Sequence, residues 1–79
     1  MHVIVIHHIH DPAGFQKAAD ESNELPPDLK LPIHAATSDH SKAICIWEGP
    51  SVEAVRNRVE SVVGPHSKNE YFEMTVHGL

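Results

Sequence analysis

Four of the first ten residues are histidines, His2, His7, His8 and His10, and they surround the apolar run Val3-Ile4-Val5-Ile6. Imidazole is the commonest metal ligand and the side chain that titrates nearest neutral pH, so this density offers two chemistries: metal ligation and general acid–base catalysis. His8 and His10 stand two residues apart, which on a strand puts both on one face. With Glu73 as a carboxylate neighbour from the last strand, they form a candidate metal set, His8, His10 and Glu73, suited to a divalent transition metal such as Ni²⁺, Zn²⁺ or Fe²⁺. Three ligands with an open position would make a catalytic centre, and four a closed structural one. The histidines are interleaved with strand-forming residues, which marks them as part of the domain and not an appended tag.

The other chemistry-bearing residues have plainer readings beside the functional ones. His7 is expected to face the helices as a hydrogen-bonded core imidazole, and His2 and His77 to meet as a cross-strand pair at the far end of the sheet. His40 and His66 fall in turns and read as solvated. His34 is either a cleft residue or an edge residue. Cys45, the one cysteine, lies in the run Ala43-Ile44-Cys45-Ile46-Trp47 and reads as a small buried hydrophobe. Trp47 and Tyr71 are read as interface packing, and with His34 and Cys45 they are the candidates for lining a cavity or an interface. The chain has no Gly-rich phosphate loop, Cys-x-x-Cys pair or His-Glu-x-x-His helix, so nucleotide, zinc-ribbon and zincin chemistries lack their motifs.

Seventy-nine residues make one domain, 1–79. A chain of this size buries only ~60% of its unfolded surface and is helped by a partner, a metal or disulfides. One cysteine excludes a disulfide within the chain and suits a reducing cytoplasm. Six Lys and Arg stand against eleven Asp and Glu, with no basic stripe, so nucleic acid is not an expected partner. No apolar run approaches the ~20 residues of a membrane span, and the N-terminus lacks the pattern of a secretory signal; the expectation is a cytoplasmic protein with no membrane association.

The elements that must position these residues follow from punctuation and periodicity. A first strand is predicted over 2–9. Asp11 as N-cap with Pro12 at the first helical position then starts a helix that turns Phe15, Ala18, Ala19 and Ser22 to one side and stops before Pro26-Pro27. Strands over 31–37 and 42–48 flank the turn Ser38-Asp39-His40-Ser41. Ser51 caps a second helix with Val52, Val55, Val59, Val62 and Val63 on one face; Gly64-Pro65 ends it, and a last strand is predicted over 70–77. The order βαββαβ most economically gives an α+β ferredoxin-like sandwich, a four-stranded antiparallel sheet with two helices on one face and the spatial order four, one, three, two. With Ile44, Ile46 and Phe72 assigned to the helix side, the uncovered face would carry Ile4, Ile6, Cys45 and Trp47, and also His8 and His10. Such an apolar face calls for a second copy, hence a homodimer built sheet against sheet.

The stretch Cys45-Ile46-Trp47-Glu48-Gly49-Pro50-Ser51-Val52-Glu53-Ala54-Val55-Arg56, preceded by the Ser38-Asp39 hairpin, resembles the strand-turn-helix of the nickel-binding-protein-like family. The start His8-Ile9-His10-Asp11-Pro12, followed by Phe15, is similar to first strands of the wider dimeric α/β-barrel superfamily, which includes antibiotic-biosynthesis monooxygenases and muconolactone isomerase-like proteins. The resemblance implies a dimeric α/β barrel. It names no ligands here, since no ligand motif of the family is matched, and superfamily chemistries range from cofactor-free oxygenases to metal binders. Three functions are therefore expected in order: a homodimeric binder of a transition-metal ion, for storage or sensing; a cofactor-independent monooxygenase or isomerase-like enzyme taking a small apolar ligand, with His8 or His34 as general base and Tyr71 orienting a substrate oxygen; and a dimerisation module without a site.

Overall fold

The computed structural model describes residues 1–78. The elements come in the order β1 (His2–Ile9), α1 (Pro12–Glu21), β2 (Lys30–Ala36), β3 (Lys42–Glu48), α2 (Val52–Val63) and β4 (Ser67–Met74). The four strands form one sheet in the order β2-β3-β1-β4, with every neighbouring pair antiparallel. This is the expected α+β arrangement, consistent with a ferredoxin-like fold.

Local chemistry sets the element boundaries. The Asp11 side chain accepts from the Gly14 N–H and Pro12 opens α1, while Ser51 Oγ accepts from the Ala54 N–H and opens α2. The β2–β3 turn is tied by Asp39, whose Oδ1 accepts from the Ser41 N–H and from the Thr37 and Ser41 hydroxyls. Those donors, led by the backbone N–H, hold its carboxyl down at about 2. Pro32 is tolerated because β2 is an edge strand, and the β2–β3 register shifts between Lys30 and Ile33.

The core comprises Val3, Val5, Leu29, Trp47, Val55, Val59 and Val63, between the sheet and α2. Register decides the faces: Val3 pairs with Trp47, Val5 with Cys45 and His7 with Ala43, and cross-strand partners point to the same side. Cys45 and Trp47 therefore lie on the helix side. The uncovered face carries Ile4, Ile6 and His8 from β1 with Ile33, Ile44, Ile46, Phe72 and Met74, of which Ile44 is 44% and Phe72 41% exposed. This reverses the expected assignment for β3 and β4 and keeps it for β1. In β3 both alternating sets are apolar, so its pattern is indifferent to the face and the register alone decides.

In β4 the error has a positional cause. The strand begins at Ser67, three residues before the expected 70, and an odd displacement exchanges the faces as well as the partners. Asn69 and Tyr71 pair with His7 and Val5 on the helix side, and His2 pairs with Met74. His77 lies beyond the end of β4, so the expected His2–His77 pair does not form.

Candidate functional site

The metal set expected from the sequence is not brought together. His8 lies on the open face, where its Nε2 is 2.6 Å from Glu70 Oε1. His10 has left the strand, and its Nε2 is 3.0 Å from the Pro65 carbonyl oxygen, to which it donates. Glu73 pairs with Val3 and so projects from the other face of the sheet, five positions along β1 from His8. Among the described residues no group of three or more His, Cys, Asp or Glu side chains stands where it could hold a metal ion. The three-residue displacement of β4 accounts for this: it delivers Glu70, not Glu73, to His8.

What the fold does assemble is a cavity of about 440 Å³ between α1, the C-terminal part of α2 and the β2–β3 half of the sheet. α1 contributes no fully buried residue beside it, and its Phe15 and Ala18 are only partly buried against the core. The lining is mainly apolar, with a few polar groups converging on it, as in small-molecule sites generally. Three of the four cavity candidates, His34, Cys45 and Trp47, line it, together with His7. His34 is exposed on the edge strand β2 and also lines the cavity.

His7 is 2% exposed and is the most tightly engaged imidazole. Its Nδ1 is 2.6 Å from Asn69 Oδ1, its Nε2 is 3.2 Å from Cys45 Sγ, and its ring meets Phe15 edge to face at 5.2 Å. Asn69 Nδ2 donates to Glu60 Oε2 at 2.8 Å, which turns the amide oxygen toward His7 and Ser67. The His7 Nδ1–H must therefore donate to Asn69, leaving Nε2 as an acceptor for the Cys45 S–H. Burial holds the His7 imidazole below its ordinary value of 6.5, against the raising pull of its bond to Asn69, so the ring is neutral. Burial likewise pushes the Cys45 thiol up to about 11. The result is a chain of hydrogen bonds, Cys45 to His7 to Asn69 to the Glu60 carboxylate, in which the thiol and the imidazole are neutral and Cys45 lines the cavity.

Trp47 supplies the second unusual group. It is 6% exposed, lines the cavity, and its indole Nε1 is a buried donor without an acceptor among the described residues. A buried N–H left in that state costs about 1–3 kcal/mol.

Tyr71, the fourth cavity candidate, is placed elsewhere. It lines a broad shallow recess on the far side of Asn69, with Arg56 5.0 Å over its ring and its hydroxyl donating to Glu60 Oε2. Burial and that carboxylate both raise its pKa, so the hydroxyl stays protonated. His66, expected to be solvated, is instead 2.8 Å from Asp11 Oδ2 through Nδ1. The N–H donors at Asp11, first the Gly14 backbone and then His66, hold that carboxyl below its ordinary range.

Asn69 and Glu60 were missed at the level of sequence, yet a signal existed. A buried histidine needs a partner for each nitrogen, and the neighbouring strands offer few polar residues that face the helices. Compared with known protein families, curated protein sequences and solved structures, the chain matches none.

Proposed function

We propose that this chain binds a small apolar molecule in the cavity between the sheet and the helices, as a cofactor-independent enzyme of the isomerase or monooxygenase kind. One observation carries the reading: a mainly apolar cavity of about 440 Å³ is lined by Trp47, Cys45 and the histidines His7 and His34. In this reading His34, at the solvent side, moves a proton as general base; His8, on the open face, has no part in it. Two copies joined through the open face, with Ile33, Ile44, Phe72 and Met74 between them, would form a dimeric α/β barrel like that of the superfamily the sequence resembles. Each copy would keep its own cavity on the outside.

The test is a titration with 2-nonanone, an apolar ketone, read through the fluorescence of Trp47, the only tryptophan. A saturable change in the wild type that is lost in Ala19→Leu, which fills the cavity from α1, supports the reading. No saturable change in the wild type refutes it.

A second reading keeps the metal. The His8–Glu70 pair lies on the open face at 2.6 Å, and a face-to-face dimer would supply two imidazoles and two carboxylates, a donor set fit for Ni²⁺, Zn²⁺ or Fe²⁺. Stoichiometric metal retained through gel filtration by the wild type and lost in His8→Ala and in Glu70→Ala would favour it; no retained metal would dismiss it.

A further inference from the structure

We propose that Cys45 is a nucleophile toward conjugated carbonyl compounds, with His7 as its base and Asn69 positioning the imidazole; the proposal rests on the cavity being the ligand site. The geometry has three parts. The thiol lines the cavity and presents its S–H to the bare Nε2 of His7 at 3.2 Å. The opposite nitrogen is fixed by Asn69 at 2.6 Å, and Asn69 is fixed in turn by Glu60 at 2.8 Å. This is the order of parts found in nucleophile, base and orienting-residue constellations, recognised by geometry and not by chain position.

A conjugated carbonyl fits better than an ester or thioester. The thiol and the imidazole are both neutral at rest, and addition requires only one base, which His7 supplies, with no leaving group to expel. As the sulfur attacks, a bond forms from Cys45 Sγ to the β-carbon of the enone; the C=C π pair shifts to join the α-carbon and the carbonyl carbon, and the C=O π pair moves onto oxygen, giving an enolate. The thiol proton passes to His7 Nε2, and from there to the α-carbon as the carbonyl re-forms. The product is a saturated ketone held as a thioether on Cys45, beside a neutral imidazole. No oxidant or reductant takes part.

The experiment measures adduct formation with 3-nonen-2-one by intact-protein mass spectrometry at several concentrations, giving a maximal rate and a half-saturation concentration. Saturable formation of a single adduct, absent in Cys45→Ala, is expected. In His7→Gln and Asn69→Ala the maximal rate is expected to fall, about a hundredfold for the former, at unchanged half-saturation, as loss of a proton acceptor requires and a loosened pocket does not. A His7→Gln variant that folds and reacts as fast as wild type overturns the proposal. If that variant does not fold, the wild type decides alone: the folded chain must add faster than the urea-unfolded chain, because a buried, protonated thiol without a base reacts more slowly than a free one. The saturated 2-nonanone separates the two levels. If it binds and the enone does not add in this way, the nucleophile is refuted and the cavity stands; if neither binds, both fall.

Discussion

At the scale of single residues, His7 couples stability to pH just below neutrality. Its folded-state pKa is depressed chiefly by burial, so the unfolded chain takes up a proton more readily than the folded one. The stability that this contributes is fully present above the ordinary histidine value of 6.5 and is lost as the pH falls from there through the lower folded value. Urea midpoints measured between pH 7.5 and pH 5 are expected to decline more steeply in the wild type than in His7→Gln; equal slopes would mean that the imidazole is not held neutral in the core. His7 also illustrates what one residue discloses. Its place in the alternation with Val3 and Val5 makes it a core residue on sight, whereas its partners Cys45 and Asn69 lie 38 and 62 positions away and depend on register.

At the scale of elements, the joint between α1 and the α2–β4 turn is the most constrained. Asp11 caps α1 through the Gly14 N–H and reaches His66 through its other oxygen, and the His66 carbonyl accepts from the His10 and Asp11 N–H groups. A Cβ at Gly14 would collide with the Asp11 carboxylate and the His66 ring. Gly14→Ala, which elsewhere in a helix would stabilise, is therefore expected to cost about 1–3 kcal/mol in urea denaturation, more than the ~1 kcal/mol expected for Ser51→Ala at the simpler cap of α2. A neutral or stabilising Gly14→Ala would contradict the joint as described. Elements announced by local chemistry were legible in the sequence: Asp11-Pro12 and Ser51 as helix starts, the Ser38–Ser41 turn, and the extent of β1 and β3. The start of β4 was not, because Ser67-Lys68-Asn69 reads as a polar loop and becomes strand only by pairing with Ile9, His8 and His7. That tertiary pairing overrides local propensity, and it moved Glu73 away from His8, Asn69 toward His7 and Tyr71 away from the cavity.

At the scale of the whole molecule, the sheet has two unlike faces. One carries the core and the cavity; the other exposes Ile33, Ile44, Phe72 and Met74, with the His8–Glu70 pair toward one end. If the open face joins two copies, Phe72→Glu is expected to turn a dimer into a folded monomer by analytical ultracentrifugation, with its circular dichroism unchanged; a wild type that is monomeric at high micromolar concentration would remove the dimer. The cavity reading does not depend on that outcome, since the cavity lies on the opposite side of the sheet. Its most direct test is a ¹H–¹⁵N NMR titration of the wild type with 2-nonanone. The expected result is a saturable shift of the Trp47 indole N–H together with backbone amides around His34 and Cys45, while amides at Ile44 and Phe72 stay in place. An indole resonance that does not move, or shifts confined to the open face, would contradict the assignment of the site.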